Sequence, residues 1–342
     1  MRAAILTASI IDPERDAGAR SIISLRDSFE RLGFETILLV ENQNLEDTLF
    51  KFRADVIVVS RLSTMIRARS FRTELKTPLL YWAHDLHAKR ISLAEELEGA
   101  PASASLAISF VEQLAISSAD LALFPTIEDL DATRRKYSVS NLEHHQWFSF
   151  SSSDEGAESM RENTLVFIGS PGHSPNFDGL RWFLEHCWPL IHKLDDSVKL
   201  QVIGAWEDPD IFGEGYVDVE FLGQLGEEEV SYVMSKALIG ISPLRFGAGL
   251  KRKVLQYLNS GLVLVSTDFG LQGLPRSQDN KCWIRANTKI DFVDAIVHLT
   301  QQRNLTSEIA KSGNAFVKQF FSEEGFDLGL ERILQKAKVQ RR

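Results

Sequence analysis

Cysteine is almost absent from this chain: Cys187 and Cys282 are the two in 342 residues. Both sit in apolar contexts (EHCWPL and NKCWIR), which argues against a disulfide scaffold and for buried thiols in a reducing cytosol. No apolar run approaches the roughly 18 residues of a membrane span. The N-terminal stretch MRAAILTASIIDPERD turns acidic too early for a secretory leader and reads as a first strand, so the expectation is a cytoplasmic protein. Basic residues are in deficit, 38 against 47 acidic, for a net charge of −9. That balance excludes a general nucleic-acid binder. The chain also has no GxxxxGK[ST] phosphate loop, no short-period repeat, and no set of histidines, cysteines and carboxylates at metal-ligand spacing, so no metal or other cofactor is expected.

What remains is an ordinary globular composition, 44% apolar and 25% charged. The length is too great for one average core and favours two domains. Short apolar runs alternate with helical patterns through the first half: AAILTA (3–8), ETILLV (35–40), DVIVVS (55–60), PLLYWAHD (78–85) and DLALFP (120–125). A polar stretch without apolar period follows, and then the rhythm restarts with TLVFIGS (164–170), the helical pattern FDGLRWFLEHCWPLIHKL, KLQVIGA (199–205), VEFLGQL (219–225), LIGISP (238–243) and LVLVST (262–267). Continuous β-rich runs separated by helices predict parallel sheets covered on both faces. The expected organisation is α/β with two doubly wound domains, 1–150 and 164–318, a linker over 151–163, and a closing segment over 319–342.

Residues 243–261, PLRFGAGLKRKVLQYLNSG, hold four cations and no acid. They lie between a predicted strand and a predicted helix starting near Lys253, at the carboxyl end of a sheet where open α/β folds bind ligands. Glycines let backbone N–H groups approach a ligand, and the helix N-terminus favours an anion. With Arg245, Lys251, Arg252 and Lys253, the stretch suits a phosphate or diphosphate, with Lys251 or Arg252 expected to be solvated. A dinucleotide fingerprint fits Gly247 and Gly249 but puts Arg252 at its third glycine, where close helix packing is needed. Asp268 falls about 20 residues on, which keeps an NAD(P)-dependent oxidoreductase as one reading of the spacing.

PLRFGAGLKRKVLQYLNSGLVLVSTDFGLQGL is similar to the donor-site segment of retaining glycosyltransferases with the GT-B fold, in glycosyltransferase family 4. The resemblance extends to FIGSPGHSPNFDGLRWFLEHCWPLI, to DPERDAGAR and YWAHDLHAKR in the first half, and to the closing helix in FFSEEGFDLGLERILQ. It implies two Rossmann-like domains facing a cleft, an acceptor-side domain first and a nucleotide-sugar-binding domain second, with the closing helix returning to the first.

The resemblance also implies roles. A sugar would pass with retention from a nucleotide sugar to a glycan or lipid-linked acceptor, as in polysaccharide biosynthesis, and fixed cations would hold the leaving diphosphate without a metal. Arg245 and Lys253 are the expected pair for that charge, and His84 would touch the transferred sugar. Gly18 would face the diphosphate from the first domain. Gly169, Gly204, Gly223, Gln224 and Leu225 would line the donor, as would the loop Gly247, Ala248, Gly249 and Leu250. Gln256 stands where the family commonly has a glutamate that binds ribose hydroxyls. Glutamine can still hydrogen-bond a diol but brings no charge, so weaker nucleotide affinity is expected.

Several features stay open at the level of sequence. Asp129-Leu-Asp131 and Asp208-Pro-Asp210 match a DxD metal motif, but both read as surface segments. His144, His145, Trp206 and Phe246 read as structural. Residues 61–76 (RLSTMIRARSFRTELK) carry five cations against one glutamate. They form either a solvated helix face or a peripheral contact with the inner face of a membrane. A catalytically silent sugar-nucleotide or glycan-binding module shares every fold feature of the enzyme, and Gln256 is the residue that favours it.

Overall fold

The computed structural model of the chain describes residues 1–8, 17–41, 44–150, 161–206, 212 and 216–338, leaving out the side chains of 17 and 71–75. Contacts divide the chain into two units: Met1–Ser149 with Ala248–Leu250 and Phe321–Arg342, and Phe150–Gly247 with Lys251–Phe320.

In the first unit the order is β1 (Arg2–Thr7), α1 (Ala17–Arg31), β2 (Glu35–Val40), α2 (Leu45–Phe52), β3 (Val56–Ser60) and α3 (Leu62–Leu75). Then come β4 (Leu79–Trp82), α4 (His87–Glu98), α5 (Ser103–Ser118), β5 (Leu121–Phe124), α6 (Ile127–Tyr137) and β6 (Leu142–His144). All strand pairs are parallel, in the order β2-β1-β3-β4-β5-β6. The runs VIVVS and LLYW are buried along their whole length, as expected of strands with helices on both faces.

The second unit runs β7 (Thr164–Ile168), α7 (Ser174–Trp182), a π-helical turn (Phe183–Cys187), α8 (Trp188–Leu194), β8 (Lys199–Ile203), β9 (Val219–Gly223), α9 (Glu227–Lys236) and β10 (Ile239–Ser242). It continues through α10 (Arg252–Asn259), β11 (Val263–Ser266), β12 (Ile284–Arg285), α11 (Lys289–Gln301) and α12 (Arg303–Phe320). Its sheet is also parallel, in the order β12-β11-β10-β7-β8-β9. The α/β class and the doubly wound sheets agree with the sequence reading. The helix expected to run unbroken through FDGLRWFLEHCWPLIHKL is instead split at the π turn. Pro189 supplies the cause, because it has no N–H and its ring clashes with the carbonyl four residues back.

The last helix, α13 (Glu323–Lys336), belongs to the first unit and packs on α1. Ser28 donates to Asp327 at 2.5 Å, and Arg31 holds the same carboxylate through Nε at 2.7 Å. Phe326 is fully buried against the rings of Trp82 and His145. Gly329 is required here, since a Cβ would lie 2.7 Å from His145 Nδ1. Burial drives the His145 imidazole down to about 3, so it is neutral and structural. Among the described residues no helix is long and apolar enough to cross a membrane. Both cysteines are buried and free, and burial raises the Cys187 thiol to about 12.

Candidate functional site

The second sheet reverses direction at β7: the chain winds outward through β8 and β9, then returns to build β10, β11 and β12 on the other side. Ligands in open α/β sheets sit outside the carboxyl ends of the strands at such a reversal. The loop 243–251 leaves β10 there, beside Gly169 at the end of β7.

Three of the expected donor glycines meet at this edge. Gly169 N–H donates to the Ile203 carbonyl at 2.9 Å, and Gly204 N–H donates to the Gly223 carbonyl at 2.8 Å. Gly204 has φ +145°, and a Cβ there would lie 2.0 Å from the Gly169 oxygen. That position admits only glycine. Trp206 Nε1 donates to the same Gly169 oxygen at 2.8 Å, and the ring is buried, so it packs as the sequence suggests. Gln224 and Leu225 follow directly, the first exposed and the second half-buried.

The four cations of the loop are all half-buried. This corrects the expectation that Lys251 or Arg252 is solvated. Arg252 donates to Gln256 Oε1 at 2.9 Å, lies 3.8 Å from Glu227 and stands over the Phe150 ring. Lys251 reaches back toward Gly247, whose absent Cβ would be 3.5 Å from Lys251 Cε. Arg245 holds the Asp178 carboxylate with both Nε and Nη2, and this pair raises the arginine pKa. So the stretch that looks acid-free in sequence receives Asp178 and Glu227 from elsewhere in the unit.

Lys253 differs from the other three. Its ammonium donates to the Ile168 carbonyl at 2.9 Å and to Asn176 Oδ1 at 2.8 Å, and it lies 4.3 Å from the Phe167 ring centroid. Both acceptors are uncharged. Burial, and secondarily the charge of Lys251, bring its pKa down to about 7. Arg245 and Lys253 are tied to α7 residues two apart, Asp178 and Asn176, and positions i and i+2 do not share a helix face. The structure therefore gives the two cations separate partners on α7.

In the first unit His84 follows β4, where the sequence puts it. Its Nε2 is 2.6 Å from Ser60 Oγ, and its ring meets the edge of Trp147 at 4.8 Å. Desolvation, then Arg61 and His87, hold it well below the usual histidine range, so it is neutral. Ser60 is the partner that the sequence reading missed; it sits at the end of β3, and nothing in the local pattern marks it. Gly18 lies in the first turn of α1, and its carbonyl accepts from Ser21. The segment Ala248–Leu250 groups with this unit, where Gly249 N–H donates to Asp129 Oδ2 at 3.1 Å. Gly249 has φ +75°, and its Cβ would be 2.9 Å from the His84 carbonyl oxygen.

Asp129 is fully buried and also accepts from Lys89 at 2.9 Å, so its reading as surface is wrong. Its helix starts at the Thr126 cap and turns it inward. Asp208 and Asp210 lie outside the described residues. Among the described residues no group of three or more histidines, cysteines and carboxylates could hold a metal ion.

Comparison with known proteins bears on this arrangement. Residues 162–302 match the model of the family Glycosyl transferases group 1. A protein described as an uncharacterized 44.6 kDa protein in the cps region of Klebsiella pneumoniae is 22% identical over 169 residues, covering 47% of this chain and 43% of that one. The chain thus aligns with under half the length of that relative. Among solved structures, a sucrose-phosphate synthase from Thermosynechococcus elongatus superposes with a TM-score of 0.78 at 13% identity, covering 99% of this chain and 100% of that one. A glycosyltransferase from Rickettsia africae gives 0.74 at 9% identity over 99% of both chains. The Anabaena protein HepE, solved in complex with UDP, gives 0.69 at 12% identity, covering 98% and 100%. The chain therefore has the two-unit α/β fold of GT-B glycosyltransferases, and residues 162–302 match the Glycosyl transferases group 1 model.

Proposed function

We propose that this chain transfers a sugar from a nucleotide-sugar donor to a glycan or lipid-linked acceptor, with retention and without a metal ion. The observation that carries the reading is Lys253. It is a half-buried cation at the sheet reversal, inside the region matched by the glycosyl transferase model, and its acceptors are a carbonyl and an amide. As the bond between sugar and β-phosphate breaks, the electron pair stays on the phosphate oxygen. An ammonium not already neutralised by a carboxylate stabilises that growing charge, and the N-terminus of α10 adds to it. Gly247, with positive φ and only the Lys251 side chain within 4 Å of its missing Cβ, leaves room for a diphosphate near the loop backbone. Arg245 contributes less in its present place, because Asp178 compensates it.

The test is a thermal-shift screen of UDP, GDP, ADP and their sugars in EDTA, followed by transfer assays with the best donor. Stabilisation by one nucleotide and turnover that survives EDTA are expected. Stabilisation by nicotinamide dinucleotides alone would replace the reading with an oxidoreductase. A second reading, a binding module without turnover, has one observation in its favour: the Gln256 carbonyl, which would meet the ribose, already accepts from Arg252. Donor binding without transfer or donor hydrolysis would select it.

A further inference from the structure

Helix α5 turns an apolar face outward. Leu106 is 63% exposed, Phe110 74%, Val111 37% and Leu114 38%, and these positions recur at helical spacing on one side. Leu97, at the end of the adjoining α4, is 44% exposed. The single charged residue of α5, Glu112, is turned inward, where it accepts from the Tyr137 hydroxyl at 2.8 Å. The outer surface of a sixteen-residue helix thus has no charge at all. An uncharged, apolar helix face on a soluble surface marks a place of contact.

The edges of this face are cationic. Lys136 donates to Ser109 on α5 at 2.6 Å and closes the last turn of α6 together with Arg134 and Arg135. On another side α3 packs along α5 and exposes Arg67 and Arg69. Acids are present too: Glu96 and Glu98 flank Leu97 at the end of α4, and Asp131 pairs with Arg134 at 2.9 Å, which leaves Lys136, Arg135, Arg67 and Arg69 as the rim. A few side chains fall far short of the roughly 800 Å² per partner that a stable protein interface needs. A symmetric second copy would also bring the same cationic edges together. An apolar stripe rimmed by lysine and arginine instead fits the interface of a bilayer with anionic headgroups, where the rings and leucines enter the acyl boundary and the cations meet phosphate.

We infer that α5 docks the first unit on an anionic lipid surface, with Leu106, Phe110, Val111 and Leu114 inserted and Lys136 at the headgroups. This does not depend on the catalytic reading, since it concerns binding without donor or acceptor.

The experiment is co-sedimentation of the full chain with vesicles of phosphatidylcholine alone or mixed with phosphatidylglycerol. Wild type is expected to bind the mixed vesicles and to lose that preference at high salt. Phe110→Ser should weaken binding at least about tenfold, the effect of removing one inserted aromatic side chain. Lys136→Ala should weaken it about fivefold, the usual effect of one cation at such a surface. Both residues are exposed, so melting temperatures should stay near wild type. Ile290→Ser, at an exposed apolar position on α11 of the other unit, should bind as wild type does. The inference is overturned if wild type ignores both vesicle types, or if Phe110→Ser sediments like wild type. It is equally overturned if light scattering finds a dimer that Phe110→Ser dissolves, which would give the face to a second copy.

Discussion

Raising the pH above about 7 discharges Lys253, because burial has lowered its pKa to about that value. The consequence for a sugar nucleotide can be worked out from this one group. Below pH 7 the ammonium is already formed in the free protein, and binding the diphosphate costs nothing extra. Above it, binding must take up a proton, at about 1.4 kcal/mol per pH unit until the pKa of the complex is reached. The dissociation constant should therefore rise about tenfold per unit, or roughly a hundredfold by pH 9. Groups around the ammonium do not mask this. Asn176, the Ile168 carbonyl and the Phe167 ring do not titrate, and Lys251 acts only by pushing the pKa down. A nucleotide sugar is the right ligand because its diphosphate, esterified at both ends, has no ionisation in this range. Calorimetry in two buffers of different ionisation enthalpy should record close to one proton taken up at alkaline pH and almost none in mild acid. Lys253→Met should bind weakly and lose both the slope and the proton uptake. A flat affinity profile in wild type, or the same slope in Lys253→Met, refutes the reasoning.

Three further outcomes follow from the geometry. Lys253→Ala should lose at least about a hundredfold in kcat/KM, Arg245→Ala less because Asp178 compensates it, and Lys251→Ala least; equal small losses would put the diphosphate elsewhere. Gly204→Ala should cost at least about 2 kcal/mol in urea unfolding, since it combines a left-handed backbone with a Cβ against the Gly169 oxygen, and a loss under about 0.5 kcal/mol would contradict the contact. Glu112 has its carboxyl raised above 4.5, chiefly by burial, so the folded state holds a proton that the unfolded state has lost; stability contributed by this group falls as pH rises through that window. Glu112→Gln should accordingly gain on wild type in melting temperature from acid to neutral pH, and parallel profiles would show that the carboxyl does not titrate there.

The sheets were legible because their central strands are buried on both faces, so runs such as VIVVS and LVLV carry no polar alternation to confuse the pattern. β6 and β12 escaped, being three and two residues long at sheet edges, too short to show any period. The break after Trp182 is visible in hindsight at Pro189. The loop cations were legible as a group, but their individual roles were not. Asp178 lies 67 residues from Arg245 in sequence, and only the closure of β7 beside β10 brings them together. Asp129 misled for a related reason: a charged residue near a helix start usually faces water, and the folded chain turns this one inward to Lys89. The outward face of α5 has no sequence signal, since its leucines and phenylalanine look like those of a helix that packs on both sides.

The placement of α13 bears on the order in which the protein takes shape at the ribosome. Phe326 and Asp327 complete the surface around Trp82, His145 and α1, so the first unit lacks part of its interior until α13 has been made. Roughly 170 residues separate Ser149 from Phe321, which at ordinary elongation rates is a delay of about 10–30 s. Throughout that interval Trp82, His145 and α1 lack their cover, while the strands of the later unit emerge in full. The second unit is thus the first to finish folding, and the nascent first unit is the stretch that needs protection from aggregation.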